Sequence, residues 1–115
     1  MKWVGLVLMF WMPVAEAQPT YATWYSTKES HGRMANGKVL DDHAYTAASW
    51  NYHLGQMVEV TNTKTGQVVR VRITDRGPAH QPSRQGVKID LTRQAFQALA
   101  PLSQGKISVT IEAVN

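Results

Sequence analysis

The chain of 115 residues has no cysteine. That single absence removes thiol nucleophiles, Cys-ligated zinc, iron–sulfur clusters, thiol lipidation and disulfide staples. Long apolar runs are also scarce. The stretch from Trp3 to Val14 is interrupted at Pro13, and a dozen or so residues are too few to cross roughly 30 Å of hydrocarbon. Histidine is limited to positions 31, 43, 53 and 80, which form no cluster at metal-ligand spacing, so neither a metal nor a cofactor is expected. No internal repeat, low-complexity tract or Pro/Ser linker divides the chain, which predicts one small domain. Acidic residues are the minority among the charges, 8 against 12 Lys and Arg, for a formal net charge of +4.

What is present begins with an export signal. Lys2, the apolar run after it and the small-x-small segment Ala15-Glu16-Ala17 predict a secretory signal peptide over residues 1–17, cut near Ala17. The domain then covers residues 18–115, about 98 residues, placed in the periplasm or secreted. With no cysteine at the cut, no membrane anchor forms there. Lys2 and Glu16 leave together, so the domain keeps its net positive charge. A basic exported protein is drawn to anionic polymers such as wall glycans, teichoic acids or lipid headgroups. The basic residues are scattered and not interleaved with aromatics, which argues against nucleic acid.

The segments 21–25, 57–62, 67–74, 87–91 and 107–111 are rich in β-branched and aromatic residues and predict strands. Thr63-Lys64-Thr65-Gly66 joins two of them as a hairpin. Thr92 suits the N-cap of a helix over 93–100 that stops at Pro101. Residues 26–43 are polar, carry Gly32 and Asn36-Gly37 as turn signals, and predict a long structured loop. Five or six short strands with one short helix favour a small, mainly β barrel.

The domain holds seven carboxylates, and most have a plain reading. Glu59 and Glu112 fall on polar positions of strands, and Asp41-Asp42 lies in the loop. Asp90 precedes a helix, where burial with a hydrogen bond is the expected role. Asp75 differs: Val69, Val71 and Ile73 define an apolar face, and the alternation carries Asp75 onto it at the strand's end, before Arg76-Gly77-Pro78. A partly desolvated carboxyl group there suits a general acid. An aspartate capping the turn through backbone N–H groups is an equal alternative. The aromatics Trp24, Tyr25, Trp50 and Tyr52 are core residues, or, if exposed beside the loop, a surface for stacking on sugar rings.

The segments Ala22-Thr23-Trp24-Tyr25, His31-Gly32-Arg33, Ala35-Asn36-Gly37, Thr46-Ala47-Ala48 and Val58-Glu59-Val60-Thr61-Asn62 resemble the rare lipoprotein A (RlpA) family. So do Val71-Arg72-Ile73-Thr74-Asp75-Arg76-Gly77-Pro78 and Ile89-Asp90-Leu91-Thr92. The resemblance runs from about residue 21 to 113. It implies a six-stranded double-psi β-barrel, shared with expansins and barwin-like proteins, that acts as a monomer on peptidoglycan glycan strands. The implied activity is that of an endolytic lytic transglycosylase, preferring naked strands and leaving 1,6-anhydromuramyl ends. Asp75 falls on the family's implicated aspartate, with His31, Arg33, Lys38, Ser49, Arg76, Trp24 and Tyr25 as substrate-binding candidates. The family usually has Glu directly after the Ala-Asn-Gly turn and His after Thr-Ala-Ala, where this chain has Lys38 and Ser49. A non-catalytic, expansin-like glycan-binding domain is therefore the alternative.

Overall fold

Alternation of β-branched residues with polar ones builds the strands, and their apolar faces meet in one interior. The computed structural model describes residues 20–28, 32–79 and 85–114. The leader expected over 1–17 and the site candidate His31 lie outside these residues. Strands β1 (Tyr21–Tyr25), β2 (Thr46–Ala48), β3 (Met57–Asn62), β4 (Val68–Asp75), β5 (Val87–Thr92) and β6 (Lys106–Val114) close into a barrel in the order β1-β5-β2-β4-β3-β6. The pairs β1/β5 and β2/β4 are parallel, and the others are antiparallel. Parallel neighbours need long crossovers, which explains why the partners of β1 and β2 are so distant in sequence.

Ala22, Val58, Val60, Val71, Ile73, Ile89 and Leu91 fill the barrel and are fully buried. The helix α1 (Arg93–Gln97) caps one opening with Ala95 and Phe96, and Leu99 follows it inward. Thr92 is its N-cap as expected, its Oγ1 accepting from Ala95 N–H at 3.3 Å. The helix is shorter than the predicted 93–100, because the chain tightens into a turn at Ala98 and Leu99 before Pro101. The last strand is longer than predicted, since β6 pairs with β1 at one end and with β3 along the rest of its length. Among the described residues, no helix is long and apolar enough to cross a membrane.

One local irregularity shapes the end of β4. Ala47 pairs with Ile73, but Ala48 pairs with Asp75, so the register slips by one residue. A bulge of this kind re-aims the side chains that follow it. Thr74, expected on the polar face, is buried as a result, with its hydroxyl against the Met34 sulfur at 3.4 Å. Asp75 is left half-buried at the rim and is not turned into the core.

Candidate active site

The loop predicted over residues 26–43 contains a small hairpin, closed by a bridge between Arg33 and Val39. Met34 and Leu40 anchor it in the interior. Its tip docks on the end of β4: Asn36 N–H donates to the Thr74 carbonyl at 3.1 Å, and Ala35 N–H donates to Asp75 Oδ1 at 2.8 Å. Asp75 Oδ1 accepts a second bond from Arg76 N–H, also at 2.8 Å. The other oxygen, Oδ2, faces the Tyr25 hydroxyl at 3.4 Å. One Asp75 oxygen thus fastens the turn through backbone N–H groups, the capping role open in the sequence, and the other faces Tyr25 at the half-exposed rim.

Tyr25 ends β1 beside this carboxylate. Burial, with the negative charges of Asp75 and then Asp90 adding to it, raises its phenol far above the usual tyrosine range. The hydroxyl therefore keeps its proton near neutral pH and faces Asp75 as a donor. Asp90 lies on the same outer face of β5 and accepts from the Thr23 hydroxyl at 2.9 Å, the hydrogen-bonded role expected of it. Ala48, on β2, pairs with Asp90 on one side and Asp75 on the other, so a small residue separates the two carboxylates. Gly77 must also approach there: a Cβ on it would stand 3.3 Å from that of Ala48.

The remaining candidates separate into those at the rim and those that build it. Lys38 and Arg33 are exposed on the hairpin, with Arg33 Nη1 donating to the Gly37 carbonyl at 3.0 Å. Ser49 does not line a groove as expected. It is fully buried, donates from Oγ to the Lys88 carbonyl at 3.0 Å and accepts from Asn51 N–H. Trp24 points the other way from Tyr25, as alternation along a strand requires, and packs on the core with its indole N–H on the Leu102 carbonyl. Arg76 Nη1 donates to the Ser49 and Tyr52 carbonyls at 2.8 and 2.6 Å, so the guanidinium holds the 49–52 turn.

That turn presents one of the four aromatics that the sequence offers as a stacking surface if exposed. Trp50 is 57% exposed, yet its indole N–H is fixed on the Pro78 carbonyl at 2.8 Å, three residues beyond Asp75. A large aromatic ring held rigidly in the open is a ready face for a sugar ring. Its aromatic character was visible in the sequence, but its exposure follows from the Arg76 clamp, which only the fold reveals. Among the described residues, no group of His, Asp and Glu could hold a metal ion. The adjacent Asp41 and Asp42 cap turns, Asp41 for His43 N–H and Asp42 for Thr27.

A closed six-stranded barrel with two parallel pairs and one short helix defines a double-psi β-barrel protein. The chain belongs to the lytic transglycosylase family of such barrels, whose model, described as "Lytic transglycolase", matches residues 17–111. It is 38% identical over 103 residues to the endolytic peptidoglycan transglycosylase RlpA of Neisseria meningitidis, and 36% identical over 95 residues to that of Vibrio cholerae. These alignments cover 88% and 82% of the chain but only 41% and 34% of the relatives, which are much longer. Among solved structures, the Streptomyces papain inhibitor superposes with a TM-score of 0.66 and 27% identity, over 90% of this chain and 99% of that one. An expansin of Clavibacter michiganensis in complex with cellohexaose gives 0.59 and 25%, over 84% of this chain and half of that one.

Proposed function

We propose that the protein is an exported peptidoglycan lytic transglycosylase that cleaves within glycan strands, with Asp75 as the acid and base. The observation that carries this reading is the asymmetry of the Asp75 carboxyl group. Oδ1 is fixed by two backbone N–H groups, while Oδ2, among the described residues, faces the Tyr25 hydroxyl at the rim. A protonated Asp75 would donate to the glycosidic oxygen as an oxocarbenium-like centre forms. The resulting carboxylate would then take the proton from the sugar's own 6-hydroxyl, closing an anhydro ring without water. Tyr25 keeps Oδ2 oriented, and the exposed face of Trp50 supports a neighbouring sugar. Lys38 and Arg33, on the hairpin above Asp75, supply positive charge for muramyl carboxylates. The protein would work as a monomer in the periplasm or outside the cell, after loss of residues 1–17.

The test is to incubate the protein with glycan strands stripped of stem peptides in oxygen-labelled water. The expected products end in 1,6-anhydromuramyl groups and carry no label, whereas labelled reducing ends would mean a hydrolase. One observation favours the second reading, a glycan-binding module without catalysis: Lys38 and the buried Ser49 replace the usual polar partners of the aspartate. Retention on insoluble wall with no cleavage product of either kind would establish it.

A further inference from the structure

A second hollow lies away from Asp75. A cavity of about 300 Å³ opens at the other end, where the hairpin after Asn62, the segment Leu99–Pro101 and the start of β6 meet beside Tyr21. Gln67 directly precedes β4 and Asp75 ends it, so eight strand residues put the two places roughly 25 Å apart. The walls are tied together by side chains. Asn62, nearly fully buried, donates to the Leu99 carbonyl at 2.9 Å and accepts from Lys64 N–H at 2.9 Å. Thr63 bonds to both the carbonyl and the hydroxyl of Ser108, which locks the hairpin onto β6. The cavity is thus built in advance and does not depend on a ligand to form.

Its chemistry is one-sided. Two ammonium groups, Lys64 and Lys106, border it, and no carboxylate does so among the described residues. Lys106 Nζ is stationed over the Tyr21 ring, 4.8 Å from its centre, which holds the charge at the mouth. Leu99, Ala100 and Ile107 give an apolar floor, with Gln67 and Gln104 as polar edges. A volume of this size holds one sugar ring or a dipeptide.

We infer that this cavity is a second binding site, for a carboxylate-bearing wall fragment whose methyl groups rest on the apolar floor and whose charge meets Lys64 and Lys106. The inference rests on the peptidoglycan reading above. Two wall groups share that chemistry, the lactyl carboxylate of a muramyl sugar and a carboxylate of the stem peptide. Engagement at both ends of the barrel would keep the protein on a polymer while the Asp75 end exchanges sugars.

The experiment is to follow backbone amide shifts while titrating N-acetylmuramic acid, the free stem peptide or the neutral N-acetylglucosamine. Either acidic probe is expected to move the amides of Leu99, Gln104 and Lys106, and whichever binds more tightly identifies the source. Lys64→Gln combined with Lys106→Gln should weaken this at least about tenfold, and added salt should weaken it too. Arg93→Gln, which removes an exposed cation outside the cavity, should not. Equal shifts from the neutral sugar, or no shifts at these amides from either acid, overturn the inference. Cleavage is scored separately on stripped strands, so loss of the transglycosylase reading leaves the amide result standing, and the reverse.

Discussion

At Tyr25, one hydroxyl faces Asp75 while Asp90 adds its charge from the neighbouring strand, and this sets a pH dependence that can be measured. Its phenol is raised well above 10.0, the ordinary tyrosine value. Above that value the unfolded chain releases the proton while the folded chain keeps it. The contribution is therefore complete below pH 10 and is lost as pH rises through the folded-state value. Urea unfolding is expected to show stability falling above about pH 10, with a shallower fall in Tyr25→Phe; an unchanged slope would contradict it. Tyr52, raised by burial, adds a smaller loss in the same direction. Near neutral pH, Tyr25→Phe removes one long hydrogen bond and should cost no more than about 1 kcal/mol of stability. Asp75 was legible in the sequence because a carboxylate on an apolar period is anomalous. Its partners were not: Tyr25 is 50 residues away, and the guanidinium of the adjacent Arg76 turns to other carbonyls.

Among the elements, the 49–52 turn depends on Arg76. Arg76→Met keeps the aliphatic stem and deletes two bonds to backbone carbonyls, for an expected loss of about 1–3 kcal/mol. The readouts are urea unfolding and amide exchange, and protection should fall at Asn51–His53 more than in β3. Trp50→Ala, by contrast, removes an exposed ring and should leave stability within about 0.5 kcal/mol, while retention on stripped glycan strands drops. If retention is unaffected, the ring is no sugar platform. Five of the six strands were legible from their alternation, but β2 was not. Three residues cannot display a period, and Thr46–Ala48 exists because β4 and β5 hold it from either side. The hairpin over Arg33–Val39 was legible only as a loop with turn signals, since what folds it is the docking of Met34 and Asn36 on β4.

For the molecule as a whole, closure of the barrel makes the core a single unit. Phe96 is fully buried where α1 meets the strands, and Phe96→Ala should cost about 3–5 kcal/mol. The loss should appear as a lower urea midpoint with an unchanged slope, as for one cooperative domain. The mainly β class was legible from periodicity, and the resemblance supplied the strand arrangement. Neither the parallel pairs nor the slip at Ala48 could come from local pattern, because they are fixed by contacts between segments far apart. That slip is what leaves Asp75 at the rim, so the functional reading of the whole barrel comes down to this carboxyl group.

Asp75→Asn is the most direct test, because the amide oxygen can still accept from Ala35 and Arg76 N–H while the group can no longer donate and recover a proton as an acid. Both proteins are incubated with stripped glycan strands, and the ends are counted by mass after melting curves have been matched. The account predicts 1,6-anhydromuramyl ends from the unaltered protein and at least about a hundredfold fewer from the folded variant. Equal numbers of anhydro ends from a folded Asp75→Asn, or none from the unaltered protein, would contradict it.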